Sequence, residues 1–139
     1  MALLERLQAA DGWRTARADL FEIWRDGVQL QAIEEAIAVM EARGAEMWIR
    51  SGRVIASSYH RHGTPIAAHA ALEEPATGLH LYGQPRGGEY LEWQRAARAA
   101  HPWFAEGQLD VRSHCSMLEA PEAVAAAIER FVVAAGSPR

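Results

Sequence analysis

The residues with the most chemical promise fall in one short run, Arg112-Ser113-His114-Cys115-Ser116-Met117-Leu118-Glu119. The run follows Gln108 to Arg112, which reads as a β-strand. Loops leaving the carboxyl ends of parallel strands are where α/β folds place ligand-handling groups. An imidazole there can take up a proton and return it near neutral pH, so His114 is the candidate general base; a capping or solvent-facing histidine is the plainer alternative. Cys115 reads as an ordinary buried thiol, because a nucleophilic cysteine needs an activating base and an oxyanion site that adjacency in sequence does not supply. His60 and His62 are two residues apart on a helical stretch and face different sides, so neither they nor His69 make the i, i+4 pair of a helical zinc site, and no metal is expected. No serine stands in a G-x-S-x-G elbow, and Gly83, Gly87 and Gly88 do not form a phosphate loop. Trp13, Trp24 and Trp48 are core candidates singly, while together they suit a pocket for a flat aromatic ligand.

Composition narrows the field further. Half of the 139 residues are hydrophobic and 23% are charged, which is a globular composition and enough chain for one domain or part of one. The formal net charge of -4 argues against a nucleic-acid or anionic-membrane surface. The sequence has no lysine, which removes Schiff-base and P-loop chemistry, and no asparagine, which removes N-glycosylation. Its one cysteine, Cys115, excludes an intrachain disulfide and four-cysteine zinc or iron–sulfur sites. Met1 to Ala10 carries Glu5 and Arg6 without a basic region ahead of an apolar core. No signal peptide or membrane span is therefore expected, and a cytoplasmic location is the default for a lone thiol.

The elements that position these residues read as a helical half followed by a β-α-β-α half. Residues 2–10 form a short helix. Asp11 caps a second, with Trp13, Leu20 and Trp24 on one face and Gly27 at its end. A third runs from Val28 to Arg43, with Leu30, Ile33, Ile37 and Met40 in one stripe and Gly44 at the C′ position. A fourth covers 45–62, with Trp48, Ile55 and Tyr59 aligned and Ser51-Gly52 as its weak point. A shorter helical piece follows Gly63-Thr64-Pro65. Beyond Pro75, Leu79 to Tyr82 is a strand, 88–100 a helix, Gln108 to Arg112 a strand and Ser113 to Leu118 a loop. The final helix opens at Pro121 and turns Val124, Ile128, Phe131 and Val132 inward, with Glu119 and Glu122 favouring its amino end. The expected division is 1–74 helical, 75–135 β-α-β-α and 136–139 tail. Strand, crossover helix and strand make a parallel pair. Two short parallel strands do not form a sheet alone, so the chain either lacks the rest of its sheet or borrows strands from a companion chain or a second copy.

From about Leu3 to Phe131 the chain resembles the second half of an α/β-hydrolase-fold protein: the helical cap, then the last two strands and helices. Ser113-His114 through Met117-Leu118-Glu119-Ala120-Pro121-Glu122-Ala123-Val124 is similar to that superfamily's catalytic-histidine loop and closing helix. A narrower resemblance is to the cofactor-independent 2,4-dioxygenases of 3-hydroxy-4-oxoquinolines. It is carried by Leu20-Phe21-Glu22-Ile23-Trp24 with Asp26-Gly27; by Trp48 with Arg50-Ser51-Gly52-Arg53-Val54-Ile55; by Tyr59 with Arg61, Gly63 and Pro65; and by Gln84-Pro85 through Glu89-Tyr90 to His101-Pro102-Trp103-Phe104. The resemblance implies that His114 deprotonates the substrate's 3-hydroxyl and that the anion reacts with O2 without metal, flavin or other cofactor, releasing carbon monoxide. It implies that Trp24 packs on a small bicyclic heterocycle, with Trp48 and Ile55 as further pocket residues. The family's acidic partner of the histidine, its serine-position residue and its oxyanion amides belong to stretches this sequence does not contain. Gln84-Pro85 stands where other α/β hydrolases place an acid. Cys115-Ser116 replaces the usual Phe-Pro, so a reshaped loop is expected. The alternatives are an α/β-hydrolase-type esterase fragment and a non-catalytic remnant or interaction domain. The chain by itself is expected to turn over negligibly.

Overall fold

Five helices form the first of two units in the computed structural model, which describes residues 2–136 and divides after Leu72. They are α1 (Ala2–Gln8), α2 (Trp13–Arg25), α3 (Gln31–Glu41), α4 (Ala45–His62) and α5 (Pro65–Ala70). Leu7, Trp13, Ala16, Phe21, Ile33, Ile37 and Trp48 fill the core. The i, i+4 spacing of Ile33 and Ile37 sends both inward while Glu34 and Glu35 stay exposed. Helix α1 packs on α4 at Gly52, where a Cβ would stand 3.0 Å from Leu7 Cβ. Gly52 is therefore not a weak point. Helix α4 runs through it unbroken, and the missing side chain is what admits α1.

Several helix ends differ from expectation. Asp11 is not the cap of α2. The Gly12 and Trp13 N–H groups donate to Ala9 O at 3.3 and 3.2 Å, and Gly12 is the N-cap residue, with no side-chain bond. Helix α2 stops one residue before Gly27, on Asp26, which takes the left-handed conformation (φ 45°) that Asp tolerates better than most side chains. Helix α3 begins at Gln31 because Leu30 is extended, and it ends at Glu41. Gly44 has φ -71° and opens α4 instead of closing α3, since only residues 42–44 join the two helices. Helix α5 is capped by Thr64, whose Oγ1 accepts from Ala67 N–H at 3.0 Å, with Pro65 at its first position.

The second unit contains β1 (Gly78–Tyr82), α6 (Glu89–Ala100), β2 (Phe104–Gln108), α7 (Ser116–Glu119) and α8 (Pro121–Gly136). The strands run parallel, with Gly78 opposite Phe104 and Tyr82 opposite Gln108. The direction is the expected one, but the second strand lies four residues before the expected Gln108–Arg112. Glu106 and Gly107 disguise it, because their partners are distant in sequence. Glu106 accepts from the Tyr82 hydroxyl at 3.2 Å and lies 3.7 Å from Arg98, while Gly107 makes room for Leu81. Leu109 N–H donates to Tyr82 O at 2.8 Å, and beyond it the chain loops to α7, a helical turn inside the stretch expected to be irregular.

Among the described residues the sheet has two strands. Helix α8 buries none of its described residues: Val124 and Phe131 are half-buried, whereas Ile128 and Val132 are 47% and 59% exposed. The stripe expected to face a core is thus largely uncovered. Of the expected tail, Gly136 ends α8 and residues 137–139 lie outside the described residues. No described helix is long and apolar enough to cross a membrane.

Candidate active site

His114 sits in a loop held from two sides. From the segment after β1, Gln84 Nε2 donates to Arg112 O at 3.0 Å and Arg86 Nη1 donates to Val111 O at 2.7 Å. Arg86 also pairs with Asp110 at 2.6 Å. Gly83 lies so close that a Cβ there would collide with Val111 Cγ2 and stand 3.0 Å from Ser113 O. From the other side, the Glu119 carboxylate accepts from Arg112 N–H at 3.0 Å and Ser113 N–H at 2.7 Å. Ser113 is buried, and its hydroxyl accepts from Cys115 N–H at 3.2 Å. The backbone on both sides of His114 is therefore fixed, while His114 itself stays exposed. Glu119 was expected to serve the amino end of the last helix. It reaches back instead, and no local spacing announces that.

The electrostatics suit a base. Although His114 as a whole stays exposed, partial burial of its imidazole, and then the neighbouring His80, lower its pKa below the ordinary histidine value and favour the neutral ring. His80, not singled out by the sequence, lies in β1 with Nδ1 3.1 Å from Gln94 Oε1 and its ring 5.2 Å from Tyr82 and 6.4 Å from Phe104. Burial, then Glu106, push the Tyr82 phenol up to about 12, so it stays protonated. Burial, then Glu119, raise the Cys115 thiol, which is a protonated side chain and not a nucleophile. Burial pushes the Glu119 carboxyl up, but the Arg112 N–H and the Ser113 hydroxyl and N–H outweigh it and hold the group below its usual value. Among the described residues no three His, Cys, Asp or Glu side chains gather as a metal ion would need.

The other candidates lie in the helical unit. Phe21 is the hub, with Trp24 at 5.7 Å and Trp48 edge-on at 5.5 Å between ring centres. Trp48 is buried, Trp24 is half-buried, and Ile55, two turns along α4 from Trp48, is 43% exposed. Trp24 and Ile55 keep surface exposed to solvent, whereas Trp48 backs Phe21 from within the core. His60 and His62 are both exposed on α4.

No family model matches the chain. A helical cap, a parallel strand–helix–strand and a histidine loop before the closing helix are elements of the α/β-hydrolase fold, and solved structures of that fold superpose on nearly the whole chain. A structure of an enzyme that recognises and ring-cleaves the Pseudomonas quinolone signal, in complex with its substrate, matches with a TM-score of 0.88 at 30% identity, over 96% of this chain and 50% of that one. The structure of 1H-3-hydroxy-4-oxoquinoline 2,4-dioxygenase matches with a TM-score of 0.83 at 28% identity, over 94% of this chain and 50% of that one. In sequence, a 2-heptyl-3-hydroxy-4-quinolone dioxygenase of Rhodococcus erythropolis is 36% identical over 132 residues, 94% of this chain and 49% of the relative. The 1H-3-hydroxy-4-oxoquinoline 2,4-dioxygenase of Pseudomonas putida is 36% identical over 89 residues, 64% of this chain and 34% of the relative. This chain is a homologue of the 3-hydroxy-4-quinolone dioxygenases, and it spans about half the length of the Rhodococcus relative.

Proposed function

We propose that this chain supplies the proton-abstracting histidine and the helical cap of a 2,4-dioxygenase that cleaves a 3-hydroxy-4-quinolone ring. The observation that supports the reading most is the loop carrying His114, held on both sides by Gln84 and Glu119, in a chain whose relatives cleave such rings. His114 takes the proton of the substrate's 3-hydroxyl. The anion is electron-rich enough to react with O2, which bridges C2 and C4 as a cyclic peroxide. Cleavage of the O–O, C2–C3 and C3–C4 bonds releases C3 with its oxygen as carbon monoxide. Both atoms of O2 stay in the N-acylanthranilate product, one on each former ring carbon. The protein holds the anion, excludes water and leaves room for O2, and on this reading it draws on no metal or cofactor.

Trp24 packs on the bicyclic ring, with Ile55 beside the ligand and Trp48 stiffening the aromatic wall through Phe21. The substrate is a small aromatic heterocycle, and 2-heptyl-3-hydroxy-4-quinolone, named for the relatives, is the first to try. We assign the chain to the cytoplasm, where a lone thiol such as Cys115 stays reduced. An esterase reading is the weaker one, because the relatives in sequence and in structure are ring-cleaving dioxygenases. A self-sufficient non-catalytic domain fits poorly with the uncovered apolar residues of α8.

Turnover on this reading needs sheet strands from outside these 139 residues. The test is to measure carbon monoxide release and O2 uptake from 2-heptyl-3-hydroxy-4-quinolone, with the chain alone and with the chain co-expressed with the half of the Rhodococcus relative that it does not match. Carbon monoxide in step with O2 uptake is expected from the combination only. A formed complex that consumes no O2 would remove the dioxygenase reading, and carbon monoxide from the chain alone would remove the need for further strands.

A further inference from the structure

Helix α4 has two unlike sides. Trp48 and Gly52 are buried, whereas Arg53, Ser57 and Arg61, each four residues from the last, lie on the other side and are exposed. With Val54, Ser58 and His62 they line one open groove along the carboxyl-terminal half of the helix. The groove measures about 410 Å³, which leaves room for more than one small oxyanion when a water takes about 30 Å³.

The protein does not balance the charge in this groove. The chain has 18 acidic residues and a formal net charge of -4, yet from Met47 to Leu72 the sequence holds neither Asp nor Glu. Arg6, Arg17, Arg25, Arg86 and Arg98 each meet a carboxylate. Arg53 and Arg61 form no ion pair or hydrogen bond with another described residue, and neither do the Ser57 and Ser58 hydroxyls.

Two guanidinium groups with two hydroxyls between them are donors without acceptors, and the planar fork of arginine suits phosphate. Two cations call for two negative charges. A phosphomonoester carries about −1.5 to −2 near neutral pH on three acceptor oxygens, whereas a carboxylate carries one charge on two. Val54, 63% exposed, gives the groove an apolar strip for the carbon part of such an ester.

We propose that this groove binds a phosphate dianion, as a small phosphomonoester or inorganic phosphate, held between Arg53 and Arg61 beside Ser57 and Ser58. The site uses no residue of the His114 loop, so it stands or falls apart from the ring-cleaving reading. The anion joins successive turns of α4, the helix that also carries Trp48 and Ile55.

The test titrates the full 139-residue chain with inorganic phosphate at about pH 8, where the anion is doubly charged, with ionic strength held constant by sodium chloride. Amide and arginine side-chain NMR signals are followed. Shifts at Arg53, Ser57, Ser58 and Arg61 should saturate with a dissociation constant on the order of 1 mM. Sulfate, of the same charge and shape, should compete, and acetate should bind at least about tenfold more weakly. Arg53→Gln and Arg61→Gln should each weaken phosphate by about tenfold, while Arg43→Gln, in the connection before α4, should leave it unchanged. All three side chains are exposed, and circular dichroism checks that each variant keeps its helices. Should a variant unfold, saturation and sulfate competition in the unaltered chain decide alone. Shifts that grow linearly, that reach Arg43 and Arg130 equally, or that survive both groove variants would overturn the proposal. Co-sedimentation with phosphatidylglycerol vesicles, without a response to inorganic phosphate, would overturn it too, by making this face a lipid-docking surface and not a small-anion site.

Discussion

In the helical unit the best-buried large side chains are apolar: Phe21, Ile33 and Ile37. In the sheet unit they are polar: Gln94, 1% exposed, and Ser113, 0% exposed. The first unit closes its core with pairs such as Trp13 and Ala16, three apart, and Ile33 and Ile37, four apart, and apolar contact needs no exact partner geometry. The second leaves α8 uncovered and spends its order on hydrogen bonds around one loop. On the proposed function, that difference separates a region that presents an aromatic surface from one that fixes an imidazole. At Ser113 the buried N–H donates to Glu119 and the hydroxyl accepts from Cys115 N–H, so another loop geometry would leave them unsatisfied.

The largest test of this contrast is His114→Ala. In the completed protein it should lower carbon monoxide release by about 10²- to 10⁴-fold, the usual contribution of a general base, with a far smaller effect on melting because the residue is largely exposed. The same base fixes the pH profile. The His114 pKa lies below the ordinary histidine value, so the neutral, active ring persists on acidification, and kcat/KM should hold level through that value and fall only below it.

Next in size is Gly83→Ala. The added Cβ meets Val111 and the Ser113 carbonyl, and overpacking of this kind costs about 1–3 kcal/mol, readable as a lowered Tm with a parallel loss of rate. Glu119→Gln weakens two bonds to the loop backbone. Because the group is partly solvated, the expected loss is near the lower end, about 1 kcal/mol. The pKa of Glu119 is lower in the folded chain, so its stabilisation is complete above the ordinary carboxylate pKa and is lost as pH falls through the folded value. The melting difference between Glu119→Gln and the unaltered chain should therefore shrink in acid.

The smallest effect is expected in the helical unit. Gly52→Ala gains about 0.5–1 kcal/mol of helix propensity and loses a similar amount to a Cβ 3.0 Å from Leu7 Cβ, for a net change within about 1 kcal/mol in thermal melts. A Gly52→Ala loss larger than that of Gly83→Ala would invert the contrast between the units.

The same difference governs what the sequence discloses. Helices α3 and α4 are legible because Ile33 and Ile37, or Trp48 and Ile55, are near in sequence and near in space. His114 is singled out as directly following a strand that in fact ends at Gln108, whereas the quinolone-dioxygenase kinship is legible from four short stretches. The register of β2 is not, since Glu106 and Gly107 look unsuited to a strand until Tyr82, Arg98 and Leu81 are placed beside them. Glu119 and His80 escape for the same reason: one reaches back to Arg112 and Ser113, and the other acts from the neighbouring strand. Gly52 misleads in the opposite sense, because a residue that weakens an isolated helix is what two packed helices need.

The account stands on a single proton transfer, and anaerobic binding isolates it from the oxygen chemistry. When 2-heptyl-3-hydroxy-4-quinolone is titrated without O2 into the completed protein near pH 7, the spectrum of the quinolone anion should develop on binding. With His114→Ala the ligand should bind as the neutral 3-hydroxy form. An anion spectrum of equal size in the His114→Ala protein would assign the base to another residue and contradict the role given to this loop.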